Sequence, residues 1–241
     1  MLVGGERSLE TSLAMRLQLL NVPVDALDQD QALKRVESFL LDGGRHQIVF
    51  LNRQRLLAAR GHNEYRRCLR EASLILPVSP GIVRAARFLR KGTLTLYSPF
   101  TFVIRLLSLA ERFNRTVYLL GGRKDEVERA ERNLRDSYRG LRLVGRHAGH
   151  YPKSQEKNVL LAIKKATPTF LLVGGGLPGR DLWVLRRKKE LTPGIYLWVD
   201  DCFELFSGKK KSNRPASGNL LGLATGLAFW VLAIFAKIGR R

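Results

Sequence analysis

Short apolar runs of strand formers alternate along the chain with stretches whose apolar residues recur every three or four positions, and that alternation predicts βαβ units. Leu17 to Val22 reads as a first strand closed by Pro23. Asp28 or Asp30 then caps a helix to about Leu41, with Ala32, Leu33, Val36, Phe39 and Leu40 on one face and Gly43-Gly44 ending it. Gln47 to Leu51 is the next strand, followed by Asn52 and a helix to Arg60, a second helix from Asn63 to Ala72 and a strand from Leu74 to Leu76. After the turn at Pro77 to Gly81 come a helix over Ile82 to Leu89, an extended segment over Leu94 to Tyr97 and an apolar helix over Phe100 to Phe113. The second half repeats the alternation: strand Thr116 to Leu120, helix Lys124 to Tyr138, strand Leu141 to Val144, loop Gly145 to Pro152, helix Gln155 to Lys165, strand Phe170 to Val173 and strand Ile195 to Val199. The expected fold is α/β, a Rossmann-like, mainly parallel sheet with helices on both faces.

The stretch TFLLVGGGLPGRDLW, Thr169 to Trp183, is the centre of this pattern. Its apolar strand empties into Gly174, Gly175 and Gly176, where the backbone can turn tightly or lie against a ligand; Pro178 stiffens the exit, and Asp181 reads as the cap of a helix starting near Leu182. Open parallel sheets bind ligands beyond the carboxyl ends of their strands, and those ends carry Asn52, Val78, Gly121, Gly149 and Gly174.

Composition narrows the setting. The 241 residues suffice for one large α/β domain with an appendage, and 45% hydrophobic content is that of a folded chain. The two cysteines, Cys68 and Cys202, point to a reducing compartment, with Cys68 as a small buried hydrophobe. The first residues, broken by Glu6, Arg7, Glu10 and Arg16, contain no secretory core. A net charge of +21 favours a polyanionic partner: nucleic acid, an anionic membrane surface or a phosphorylated substrate. Arg84, Arg87, Arg90 and Lys91 form one basic patch and Arg186 to Lys189 another; without interleaved aromatics they argue against nucleic acid and read as solvated helix faces or lipid-facing ones. From Gly208 the character changes, with Lys209, Lys210, Lys211 and Arg214 followed by the uncharged run Leu220 to Ala236. That run is borderline for spanning a bilayer; basic flanks and Trp230 favour membrane contact, with a buried core helix as the alternative. The expected organisation is a lead over residues 1–15, an α/β domain over 16–207, and a basic, apolar membrane-associating tail over 208–241.

In order and spacing, NVPVDALDQDQAL, HQIVFLN, EASLILPVSPGIVRAARFL, VYLLGG, GLRLVGRHAGHY, LLVGGGLPGRDLW and FELFSGKKKSNRP together resemble the WecG/TagA/CpsF family of bacterial glycosyltransferases, from about Val22 to Pro215. The resemblance implies transfer of N-acetylmannosamine or a related sugar from a UDP-sugar to a lipid-linked acceptor, in cell-envelope polysaccharide synthesis at the cytoplasmic face of the inner membrane. It implies no metal or other cofactor, with anionic lipid as a partner and envelope-assembly proteins or a second copy of the chain as further ones. Candidate substrate-binding residues are Asn52, Gly81, Gly121, Gly122, Gly149, Gly174, Gly176 and Arg180, the glycine turns holding phosphate and Arg180 supplying a cation.

The departures concern chemistry. The family's candidate base, an aspartate after the proline of the Pro77 turn, is Val78 here; its polar residue two before Asn52 is Phe50; and its Arg, Gly and Asp of a further segment are Leu96, Pro99 and Thr101. Val78 accepts no proton, so the expectation is weak or absent transfer, with Asp200 or Asp201 as substitute bases or, alternatively, as a solvated pair capping the next helix. Three functions follow: a membrane-surface glycosyltransferase, a non-catalytic descendant binding or scaffolding an envelope or surface-appendage assembly, and, on charge alone, nucleic-acid binding. His147 and His150 lack a third ligand in sequence and read as loop residues near the sugar.

Overall fold

Side chains on successive residues of a strand point to opposite faces, and here both faces are apolar, which commits the sheet to cover on both sides. In the computed structural model, which describes residues 16–61, 63–209 and 229–237, that cover is complete. The strands are β3 (Arg45–Leu51), β4 (Leu74–Pro77), β5 (Thr116–Leu120), β6 (Arg142–His147), β7 (Phe170–Val173) and β8 (Gly194–Trp198), all parallel in the order β4-β3-β8-β7-β5-β6. Ile48, Phe50, Phe170, Leu172, Ile195 and Leu197 face one layer, built from α1 (Gln29–Asp42), α5 (Pro99–Arg112), α6 (Lys124–Ser137) and α9 (Cys202–Phe206). Val49, Leu51, Leu171, Val173, Tyr196 and Trp198 face the other, from α2 (Arg53–Ala58), α3 (Glu64–Glu71), α4 (Pro80–Phe88), α7 (Glu156–Ala166) and α8 (Asp181–Arg187). The expected α/β architecture with helices on both faces is the observed one.

Local chemistry explains most boundaries. Asp28 caps α1 by accepting from the Gln31 amide while Gln31 reaches back to the Asp28 amide, and Gly43 closes the helix in the left-handed region. Three segments differ from the sequence reading. The first strand is a hairpin, β1 (Arg16–Leu19) and β2 (Val22–Asp25), whose two-residue turn Leu20-Asn21 has φ of 52° and 64°; without glycine there, the turn left no mark, and Pro23 lies inside β2 opposite Gln18. Leu94 to Tyr97 pairs with no strand; the Tyr97 amide makes one bond, to the Pro77 carbonyl. β6 runs on through Gly145 to His147, so that the first three residues of the expected loop are strand.

The hairpin is fastened to the edge strand by charge. Arg16 grips Asp25 with both arms of its guanidinium, at 2.7 and 2.9 Å, and Asp25 Oδ2 also accepts from the Ile75 amide of β4 at 2.7 Å. Asp25 is buried, so its charge depends on those donors.

At the carboxyl ends of β5, β6 and β7 the backbones touch. A Cβ on Gly121 would lie 2.6 Å from the Gly174 backbone, one on Gly149 2.2 Å from the Gly175 carbonyl oxygen, and one on Gly174 2.5 Å from the Phe203 ring. Three strand ends thus meet at a point where no side chain fits. Gly81 is different: a Cβ there would meet Arg53 Cδ at 3.6 Å, an ordinary contact.

Of the tail, residues 210–228 and 238–241 lie outside the described residues, as does the lead over 1–15. Residues 229–237 form a helix that buries Phe229 and Ala233, sets Trp230 edge-on to Phe88 at 5.7 Å and lays Lys237 Nζ 4.0 Å from the Phe88 ring centre. Val231, Ile234 and Phe235 are exposed on it, and among the described residues no helix is long and apolar enough to cross a membrane.

Replacing Asp25 by Ala strands Arg16 and orphans an edge amide, and urea unfolding is expected to show a loss of about 3 to 5 kcal/mol. The glycines should divide sharply in the same measurement. Gly121→Ala, with φ of 133° and backbone in the way, is expected to cost about 3 kcal/mol. Gly81→Ala, inside a helix with room for the methyl, should add about 0.5 kcal/mol; equal effects at the two positions would refute the contact geometry.

Candidate functional site

β3 and β8 are neighbours whose exits part: the chain leaves β3 into α2 on one face and leaves β8 into α9 on the other. Such a divergence opens a crevice at the carboxyl edge of a parallel sheet. Asn52 stands at its β3 side, where its side chain caps α2 by accepting from the Arg55 amide at 2.8 Å. Arg53, beside it, lies over Gly81 at the start of α4.

Arg55 ties the crevice together. Its guanidinium is buried, donating from Nη1 to the Phe50 carbonyl at 2.6 Å and from Nη2 to Asp200 Oδ1 at 3.1 Å, with Nε 3.5 Å from Asp181 Oδ2. Burial works against its charge, but the facing carboxylates Asp181 and Asp200 hold its pKa above the ordinary arginine value.

The two carboxylates differ in setting. Asp181 is fully buried, and its Oδ2 also takes the Tyr65 hydroxyl at 3.3 Å while Oδ1 has no partner among the described residues. Burial pushes its pKa up to about 6 against the pull of Arg55, so the carboxyl holds its proton at mildly acid pH. Asp200 is 36% exposed in its side chain and sits at φ 45°, a left-handed conformation uncommon outside glycine and asparagine. Its Oδ1 receives both Arg55 and Trp198 Nε1, the latter at 2.7 Å. Both donors thus converge on one oxygen of a part-exposed carboxylate.

The expectations for these residues resolve unevenly. Asp181 begins α8, but its side chain does not cap the helix; it turns inward to Arg55 and Tyr65. The helix-capping alternative for Asp200 and Asp201 is not borne out either: Asp201 stands at the N-cap of α9 without a side-chain capping bond, and Asp200 is engaged by Arg55 and Trp198. Val78 packs against the apolar layer of α1 and α5, so the position holds no proton acceptor.

Gly121, Gly122, Gly149, Gly174 and Gly176 do converge, joined to Asp200 through Phe203 of α9, whose ring lies against Gly174 and Gly122. Four of their amides are committed inside the corner: Gly121 to the His147 carbonyl, Gly122 to Gly175, Gly149 to Gly122 and Gly174 to Leu120, all at 2.7 to 2.9 Å. His150 Nδ1 lies 3.3 Å from the Gly122 carbonyl and His147, at the end of β6, 2.8 Å from the Ala148 carbonyl. Arg180 is exposed and contributes an unusual backbone, φ 53° and ψ −118°, just before α8.

Arg55 and Trp198 escaped the sequence reading, Arg55 because one arginine in RQRLLAAR looks like any solvated helix residue, and Trp198 because it sits in an apolar strand run.

The family model for the glycosyl transferase WecG/TagA/CpsF family matches residues 17–216. A relative from Staphylococcus aureus strain NCTC 8325, N-acetylglucosaminyldiphosphoundecaprenol N-acetyl-beta-D-mannosaminyltransferase, is 24% identical over 204 residues, covering 84% of this chain and 80% of its own. A protein of the same name from strain MRSA252 is 22% identical over the same coverage. With a family match over most of its length and a switch-point crevice lined by that match, the chain belongs to the WecG/TagA/CpsF family of glycosyltransferases.

Proposed function

We propose that this protein transfers an N-acetylmannosamine-type sugar from UDP to a lipid-linked acceptor in cell-envelope polysaccharide synthesis, with Asp200 as general base. The observation that carries the reading is the state of Asp200: a part-exposed carboxylate just past the carboxyl end of β8, clamped through one oxygen by Arg55 and Trp198. Inverting transfer needs such a group, since the acceptor hydroxyl must lose its proton as its oxygen attacks the sugar carbon and the bond to UDP breaks. In this reading Asn52, Gly81 and the glycine corner shape the donor pocket and Arg180 meets the diphosphate. The committed amides of Gly121, Gly122, Gly149 and Gly174 give these glycines the part of letting the backbone close, and no step is given to a metal.

A second reading, a non-catalytic binding or scaffold protein, is favoured by Val78, which puts an apolar side chain where the family's candidate base is expected. The membrane reading draws on the tail. We infer that helix 229–237 lies on the cytoplasmic surface of the membrane with Val231, Ile234 and Phe235 turned to lipid and the basic residues around it toward anionic head groups.

Titration calorimetry with UDP, followed by a transfer assay on a lipid-linked acceptor, separates the readings. UDP binding with measurable transfer is expected. Asp200→Asn, which keeps the acceptor oxygen for Arg55 and Trp198, should lower kcat by about 100-fold or more and leave UDP affinity within about twofold. Binding without turnover in the unaltered protein would favour the scaffold reading, and no UDP binding would remove the transferase one. In vesicle sedimentation, Ile234→Glu combined with Phe235→Glu is expected to lower partitioning at least about tenfold; unchanged partitioning would refute the lipid-facing assignment.

A further inference from the structure

At the amino edge of the sheet, seven residues of β3 away from the crevice and so about 20 Å distant, the fold gathers cations. A cavity of about 760 Å³ is lined by Arg45, Arg67, Arg186, Lys188 and Lys189, with Glu71 as its one acidic lining residue. These side chains arrive from the start of β3, from α3 and from the end of α8. Two of them are compensated: Arg186 holds Glu64 with two bonds of 2.8 and 2.6 Å, and Arg67 stands 3.7 Å from Glu71. Among the described residues Arg45, Lys188 and Lys189 have no carboxylate within ion-pair distance.

That arrangement is costly without a ligand. Arg45 spends its Nε on the Leu191 carbonyl at 2.8 Å, which fixes the guanidinium and leaves its charge unanswered. Lys188 is half-buried, meets only the Glu71 carbonyl at 3.4 Å, and burial holds its ammonium below the usual lysine range. On the other flank of α3, Arg66 and Arg70 line a smaller cavity with Arg16 and add to the field. Three uncompensated cations repel one another, and a compact anion carrying two or more charges would relieve that repulsion while accepting from each donor. A planar guanidinium beside two ammoniums suits the several oxygens of a phosphate. The volume is that of a small-ligand site.

We propose that this groove between α3 and α8 is a phosphate-binding site, separate from the crevice, that takes a phosphomonoester or diphosphate group. The inference does not rest on the transferase reading. The group reaches it on a soluble molecule or on a lipid head, and the experiment separates these sources. Sodium pyrophosphate is titrated calorimetrically, and vesicles of phosphatidylglycerol and phosphatidylcholine are sedimented, with the unaltered full chain, with Lys188→Gln/Lys189→Gln and with Arg45→Gln. Lys164→Gln/Lys165→Gln, which removes the same charge from exposed positions on α7, is the control. Both groove variants are expected to weaken binding by about tenfold or more while the control keeps it. A loss confined to pyrophosphate identifies a soluble ligand, and a loss confined to vesicles a head group. Equal binding by the groove variants and the unaltered chain, or an equal loss in the control, would overturn the site.

Discussion

The contact on which the rest of the molecule depends is backbone against backbone at the carboxyl ends of β5, β6 and β7. Gly174 donates to Leu120 while a Cβ on Gly121 would strike the Gly174 backbone, so the strands end together and at one height. The space left beside Gly174 is filled by the Phe203 ring, at a distance that leaves no room even for a methyl on that glycine. Because Phe203 belongs to α9, its seat fixes where the chain goes after β8. Asp200, between that seat and Trp198, is thereby held in its left-handed conformation, and a packing constraint in the sheet becomes the orientation of a carboxylate at the crevice.

Electrostatics then decides what that carboxylate can do. Arg55 is shared between a buried acid and a half-exposed one, and the desolvation of Asp181 outweighs the attraction of Arg55, which lifts its pKa to about 6. The same interior pushes the thiol of Cys68 up to about 12, through burial and then through Asp181, so Cys68 is inert beside the network.

The layers were legible in the sequence because each strand is apolar on both faces and each long helix on one, a pattern that survives without knowledge of partners. Asp28, Asn52 and Gly43 were legible for the same reason: caps act within one turn of their own helix. The glycine corner was visible as composition, but its contacts between glycines join residues 26 to 53 positions apart, and nothing in LLVGGG says that the neighbour is Gly121. Asp181 was misread because a helix-start aspartate and a buried one look alike in sequence; what separates them is Arg55, brought up by α2 from more than a hundred positions away in the same layer. The hairpin at Leu20-Asn21 was missed since Leu20 seldom adopts a positive φ and no glycine stands beside Asn21 to mark the turn.

The surplus of basic residues acquires a shape once the acids are located. Among the described residues the carboxylates of Asp25, Glu126, Glu131 and Asp181 are buried, and each is held by a cation: Asp25 by Arg16, Glu126 by Lys209, Glu131 by Arg135 and Arg146, Asp181 by Arg55. Acids turned inward are spent on the cations that face them, and among the described residues Arg45, Lys188 and Lys189 are left with no carboxylate within ion-pair distance. The field outside the molecule is therefore positive around α3 and α8, and it reaches about 8 Å at physiological ionic strength. Attraction to a phosphate-rich surface is strongest where the fold adds concavity to charge, and that is the groove beside Lys188.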